Sequence, residues 1–167
     1  MFDRHYEDFA EIKASAPDIF AFIDDHAQFS SHMNESSWMM GGGQMSTRVD
    51  ERKGQAVGSH IFMSGRVVGL HLELDEVVTV RRPPTEKVWQ TVGQPRLLVI
   101  AEYQMGVWIE PTEDGSHLTV FIDYALPVGA VTYWLGRLFG RVYAKWCVNQ
   151  MLDGVRRHFD RERRIAA

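Results

Sequence analysis

The sequence predicts an α+β fold, an antiparallel sheet interrupted early by two short helices and covered at the end by one long helix. Three observations predict it. Strand-like alternation with turn residues at short intervals runs from the mid-forties to about residue 126. Ser15-Ala16-Pro17-Asp18 opens a helix straight after a first strand. From Val131 to Phe159, apolar residues recur at helical spacing.

The elements follow in order. Arg4 to Ala14 alternates loosely around Tyr6, Phe9 and Ile12, which suits an opening strand. After the serine cap, Ile19, Phe20, Phe22 and Ile23 give the first helix one buried face, and Asp24-Asp25-His26 ends it. A second short helix is expected from Gln28 to Met33. The loop Ser36 to Met45 follows, with Trp38-Met39-Met40 set against Gly41-Gly42-Gly43. Turn signals then fall at Lys53-Gly54, near Gly65 to Gly69, at Pro83-Pro84, at Gly93-Gln94-Pro95 and at Asp114-Gly115. The last is the cleanest hairpin signal, flanked by Val107-Trp108-Ile109 and Leu118-Thr119-Val120. About six strands result, followed by the long helix, on which Arg137, Arg141 and Lys145 form a basic stripe.

The chain has 167 residues, 45% of them hydrophobic and 24% charged, and is read as one domain over residues 1–167. A single cysteine, Cys147, excludes a disulfide framework and a cysteine-based zinc site. Leu97 to Ala101 is typical of the longest apolar runs, far short of a membrane span, and the N-terminus lacks a signal-peptide core. A cytoplasmic location is therefore expected. The net charge of −4 divides unevenly. Residues 1–50 carry nine carboxylates against three Lys/Arg, whereas residues 131–167 carry eight Lys/Arg against three carboxylates. The overall acidity argues against nucleic acid, and the basic end is read first as a solvated helix terminus complementing the macrodipole.

In this order, the chain from about residue 5 to 160 resembles the SRPBCC (START-like, helix-grip) superfamily, polyketide cyclase/dehydrase-like proteins included. The likeness is carried by Ser15 to Asp24, by Trp38, by Val57-Gly58, by Glu76 to Pro84 and by the long final helix. It implies a curved antiparallel sheet gripping that helix, with an apolar cavity between them. The superfamily includes aromatase/cyclases as well as lipid and quinone carriers, so the resemblance leaves the chemistry open.

Alternate residues of a strand face opposite sides. From Leu97 to Ile109 the odd row is apolar but for the Tyr103 hydroxyl, and Leu118, Val120, Ile122 and Tyr124 form a similar row. Both rows should face inward. From Leu70 to Val80 the inward row is Leu70, Leu72, Leu74, Glu76, Val78 and Val80, so Glu76 is a carboxylate among apolar neighbours. Buried without a cation, it would have a raised pKa and could act as a general acid or base. The alternatives are a bulge at Glu76-Val77 that turns it to solvent, or a salt bridge to an arginine. His71, Glu73 and Asp75 form the solvated face.

Other motifs carry less. Asp25, His26, His32 and Glu35 are expected to cap and solvate the short helices, and no histidine pair has metal-ligand spacing. His60 is a lone strand histidine. The glycine run lacks a phosphate loop's Lys-Ser/Thr, there is no Gly-x-Ser-x-Gly elbow, and Cys147 is expected as a packed thiol. No metal or cofactor is expected. The Trp/Met/Gly loop corresponds in the superfamily to a connection near the cavity mouth, where it would act either as a hinged lid or as a fixed plug.

The expected function is binding of a small hydrophobic molecule (lipid, quinone, aromatic or polyketide-like), with carriage as one use. Trp38, Met40, Met63, Trp89, Tyr103, Met105, Tyr124 and Trp146 would line the pocket, and Glu76, Tyr103 and Tyr124 would orient the ligand. The rival readings are a polyketide cyclase or dehydratase using Glu76 or a tyrosine, and a protein- or membrane-docking module using the basic helix. In the last case peripheral membrane contact, without stable insertion, would weaken with salt. The sequence leaves the oligomeric state open.

Overall fold

The structure is a computed structural model that describes residues 2–29, 45–67, 70–93 and 99–166. The predicted loop from Ser36 to Gln44, including Trp38 and Met40 and the lid-or-plug alternative, lies outside the described residues. So does the end of the second helix beyond Phe29.

Strand β1 (Arg4–Ile12) leads into α1 (Ala16–Asp24) and the four-residue α2 (His26–Phe29). Six strands follow: β2 (Met45–Val49), β3 (His60–Val67), β4 (Leu70–Arg82), β5 (Glu86–Thr91), β6 (Tyr103–Thr112) and β7 (Gly115–Tyr124). Helix α3 (Ala130–Ala166) ends the chain. The strands make one seven-stranded sheet in the order β1-β7-β6-β5-β4-β3-β2. Every neighbouring pair is antiparallel. The meander is the predicted one, with β1 returning to pair with the last strand.

Local chemistry sets the elements. The Ser15 hydroxyl accepts the Asp18 amide at 3.3 Å, a cap that fixes the start of α1. That helix then buries Ala16, Ile19, Phe20, Phe22 and Ile23. The β6–β7 hairpin forms where expected, but Thr112 pairs with Gly115, so the two loop residues are Glu113 and Asp114. Gly115 opens β7 because a Cβ there would come within 2.1 Å of the Ile12 carbonyl oxygen.

The concave face holds the core. The inward row Tyr103, Met105, Val107 and Ile109 is buried, as is Leu118, Val120, Ile122 and Tyr124. Helix α3 packs along β1 and β7 and buries Ala144, Val148, Met151, Leu152, Val155 and Phe159. Burial of each large aliphatic contributes about 1.5–3 kcal/mol.

Strand β4 departs from the sequence reading in one place. Val78 pairs with Trp89 and Val80 with Val88, leaving Thr79 as an extra residue. The bulge therefore lies beyond Glu76, and the alternative of a bulge at Glu76-Val77 is not what forms. From Leu72 to Val78 the even row faces inward as predicted. Past the bulge the parity reverses: Val80 leaves the buried row, and Arg81 turns to the core side. Ahead of β6 the expected row also breaks, with Ile100 fully buried and Val99 only partly so.

Candidate functional site

Glu76 sits in the middle of β4, paired with Ile61 of β3 on one side and Thr91 of β5 on the other. Its side chain is 1% exposed. The Tyr103 hydroxyl donates a very short hydrogen bond to Oε1. Tyr103 is held two strands away by Thr91, whose hydroxyl accepts its amide at 3.1 Å and donates to its carbonyl at 3.2 Å. This side-chain clamp continues the β5–β6 connection just past the last ladder pair, Gln90 with Gln104.

The second oxygen, Oε2, has no hydrogen-bond partner among the described residues. The His26 Nε2 lies 4.0 Å from it. His26 is 4% exposed, its ring edge-on to Trp89 at 5.1 Å and to Phe29 at 6.1 Å. The turn before β3 closes over it. There the Asp50 carboxylate accepts from the Ser59 hydroxyl and from the amides of Gly54 and His60. Those bonds, Ser59's foremost, hold its pKa down at about 2.

From the helix side, Tyr143 and Cys147 stand one turn apart on α3 and interact electrostatically with each other and with Glu76. Burial pushes the Cys147 thiol up to about 12, so it is a packed thiol and no nucleophile, as the sequence indicated. Its proximity also raises the Tyr143 hydroxyl far above its ordinary value, with burial adding to the effect.

Burial dominates Glu76 as well. It raises the carboxyl pKa to about 7 against the stabilising hydrogen bond from Tyr103, and the nearby Asp75 charge raises it further. Trp89 favours the ionised form from just outside hydrogen-bond geometry. Tyr103 in turn is driven well above 10, by burial first and then by Glu76. Among the described residues no arginine pairs with Glu76, so the salt-bridge alternative is not seen there. Near neutrality this carboxyl is poised between an acid that donates a proton and a base that accepts one.

A few residues away lies a contrasting cluster. Asp24, at the end of α1, takes an Nζ contact from Lys87 at 3.0 Å and a guanidinium contact from Arg81 at 2.8 Å. Lys87 also donates to the Asp24 carbonyl at 3.2 Å and is completely buried. Burial works to raise the Asp24 pKa, but the two cations outweigh it and leave it lowered. The bulge at Thr79 is what brings Arg81 into this cluster.

The described residues among those predicted to line a pocket lie on the inward face of the sheet and on α3. Trp89, Tyr103 and Met105 lie together on β5 and β6, with Glu76 beside them on β4 and Trp89 paired to Met105. Trp146 of α3 is partly buried, its ring 5.8 Å from that of Tyr143. Tyr124 of β7 is the cross-strand partner of Tyr103, under α3 beside Gly140, with burial raising its hydroxyl. Met63 of β3, paired with Leu74, lies on the Glu76 face two residues beyond Ile61 and borders an open groove of about 570 Å³ with Phe62, Glu73 and Asp75.

Two buried polar groups lie where the sequence did not place them. His26 was expected as a solvated cap and is instead buried against Glu76. It continues the inward face of Ile19 and Ile23 by one more helical step, which is the signal that could have found it. Lys87 shares a strand face with Trp89, yet a lysine normally marks solvent; its partner is 63 residues earlier. Among the described residues no group of three His, Cys, Asp or Glu is arranged to hold a metal ion.

A curved seven-stranded antiparallel sheet closed by a long C-terminal helix is the helix-grip fold of the polyketide aromatase/cyclases. The chain is similar in structure to the Zhui aromatase/cyclase of a Streptomyces species, with a TM-score of 0.76, 11% identity and 98% of each chain covered. It is also similar to norcoclaurine synthase of Thalictrum flavum, with a TM-score of 0.67, 15% identity and 96% of each chain covered. Against the di-domain aromatase/cyclase BexL the TM-score is 0.68 at 18% identity. That match covers 93% of this chain and only half of BexL's length. No protein-family model and no curated protein matches the chain. At these identities the likeness establishes the fold.

Proposed function

We propose that this chain binds a small lipophilic molecule between the sheet and α3, against the Glu76–Tyr103 pair. Trp89, Met105 and Trp146 supply apolar surface, while Glu76 and Tyr103 orient a polar end of the ligand. The observation that carries this reading is a fully buried carboxyl, hydrogen-bonded by a phenol and faced by Tyr143 and Cys147 of the helix. Ligand sites of this kind are largely apolar with a few convergent polar groups. Native mass spectrometry of the freshly purified protein tests it. A reproducible co-purifying lipophile is expected, lost in Tyr103→Ala or Trp146→Ala; a reproducibly empty protein that also binds no lipophilic probe would overturn it.

A second reading is favoured by the carboxyl pKa of about 7. Glu76 would exchange a proton with a carbonyl-rich substrate folded in the same pocket, as a cyclase or dehydratase requires, with His26 at 4.0 Å to relay it. The fold's aromatase/cyclase neighbours give this reading its context. Turnover would vanish in a folded Glu76→Gln protein, whereas a carrier would keep its affinity.

A further inference from the structure

Helix α3 is built in two styles. In its second half, large residues face inward. In its first half the inward positions are Gly136, Gly140 and Ala144. A Cβ on Gly136 would come within 2.8 Å of Pro127 and of the Val99 carbonyl, so the helix lies close to the segments beneath it. The large residues of this half point to solvent. Trp134 is 62% exposed, Leu138 64%, Phe139 52% and Val142 55%, and Val128 just ahead of the helix is fully exposed. A helix that packed only on its own core would have the opposite arrangement. A contiguous apolar face of this kind marks an interaction site.

The charges flanking this face are of one sign. Residues 125–152 contain no carboxylate, although the chain as a whole carries −4. Arg137, Arg141 and Lys145 rise along the edge of the apolar face, and none makes an ion pair among the described residues. Arg137 lies 5.9 Å over the Trp134 ring. Asp3, which borders the helix start, faces Arg4 at 3.7 Å. Tryptophan and long aliphatics beside unpaired basic side chains are complementary to an anionic bilayer surface, where the apolar face enters the acyl boundary and the cations meet phosphates.

We infer that the first half of α3 docks the protein on membranes rich in anionic phospholipid. The contact is superficial, since no helix among the described residues is long and apolar enough to cross a membrane. The apolar face runs into Trp146 and Tyr143, so the docked helix leads from the bilayer toward the buried Glu76. Docking itself does not depend on what the site binds.

Co-sedimentation with vesicles tests this on the full chain. Binding is expected to phosphatidylcholine vesicles containing phosphatidylglycerol, weakening as salt rises, and not to phosphatidylcholine alone. Arg137→Gln with Arg141→Gln should lower the partition coefficient by about fivefold per removed cation. Leu138→Glu should abolish binding. The exposed arginine variants are read alongside circular dichroism, so the test stands even where Leu138→Glu misfolds. Glu76→Gln should bind vesicles like the parent, which separates this inference from the proposed site. No binding to anionic vesicles at low salt would overturn it, as would equal binding to neutral ones. A dimer in sedimentation velocity that Leu138→Glu dissociates would assign the face to a second copy and overturn it too.

Discussion

Asp24 and Glu76 are both carboxylates on the core side of the sheet, 5% and 1% exposed, yet their surroundings drive them apart. Asp24 meets two cations and is held ionised below its ordinary pKa. Glu76 meets a phenol, an indole and an imidazole, and burial leaves it near pH 7. Burial penalises both charges; the partners decide which survives. One acid is a strut tying α1 to the sheet, and the other is a group able to do chemistry.

The largest way to break this contrast is Asp24→Ala. It strands the fully buried Lys87 ammonium without its ion-pair partner, and removal of one member of a buried pair costs about 3–5 kcal/mol. Urea denaturation should register a loss of that size, and a change within 1 kcal/mol (about the worth of an exposed pair) would show that the cluster is not a strut. Because its folded pKa is lowered, Asp24 contributes stability above its ordinary value near 3.8 and loses it as pH falls further.

Glu76 behaves in the opposite sense. Its folded pKa exceeds the ordinary 4.5, so the charged form destabilises the fold as pH climbs, with the cost complete above about 7. The shift corresponds to about 3 kcal/mol. Glu76→Gln should therefore gain on the parent by about that amount between pH 4 and pH 8 in paired denaturation curves. Parallel curves at the two pH values would contradict the assignment.

Tyr103→Phe is the smaller and sharper change. It removes the donor that favours the ionised carboxylate, so the Glu76 pKa should rise by about one unit more. A fall or no change would mean that the hydroxyl donates elsewhere.

Much of this contrast was legible beforehand, and the rest was not, for definite reasons. Glu76 stood out because strand alternation places it among leucines and valines, and that depends only on local period. Arg81 was not legible, since a one-residue bulge at Thr79 inverts the face of everything after it. Lys87 and Asp24 find each other across 63 residues, and no local pattern encodes that pairing. His26 lay one helical step beyond a face already identified, but its polar side chain argued for solvent. In α3 the apolar period located the helix correctly, while Leu138, Phe139 and Val142 proved to face outward. Periodicity reports which residues share a face, and tertiary contacts decide where that face points.

The most direct test of the account is the titration of Glu76 itself, followed through its side-chain carboxyl carbon by NMR and assigned with Glu76→Gln. A midpoint at about pH 7 is expected. A midpoint at the ordinary glutamate value near 4.5 would mean that the carboxyl is hydrated or paired, and that this face of the sheet holds no poised acid.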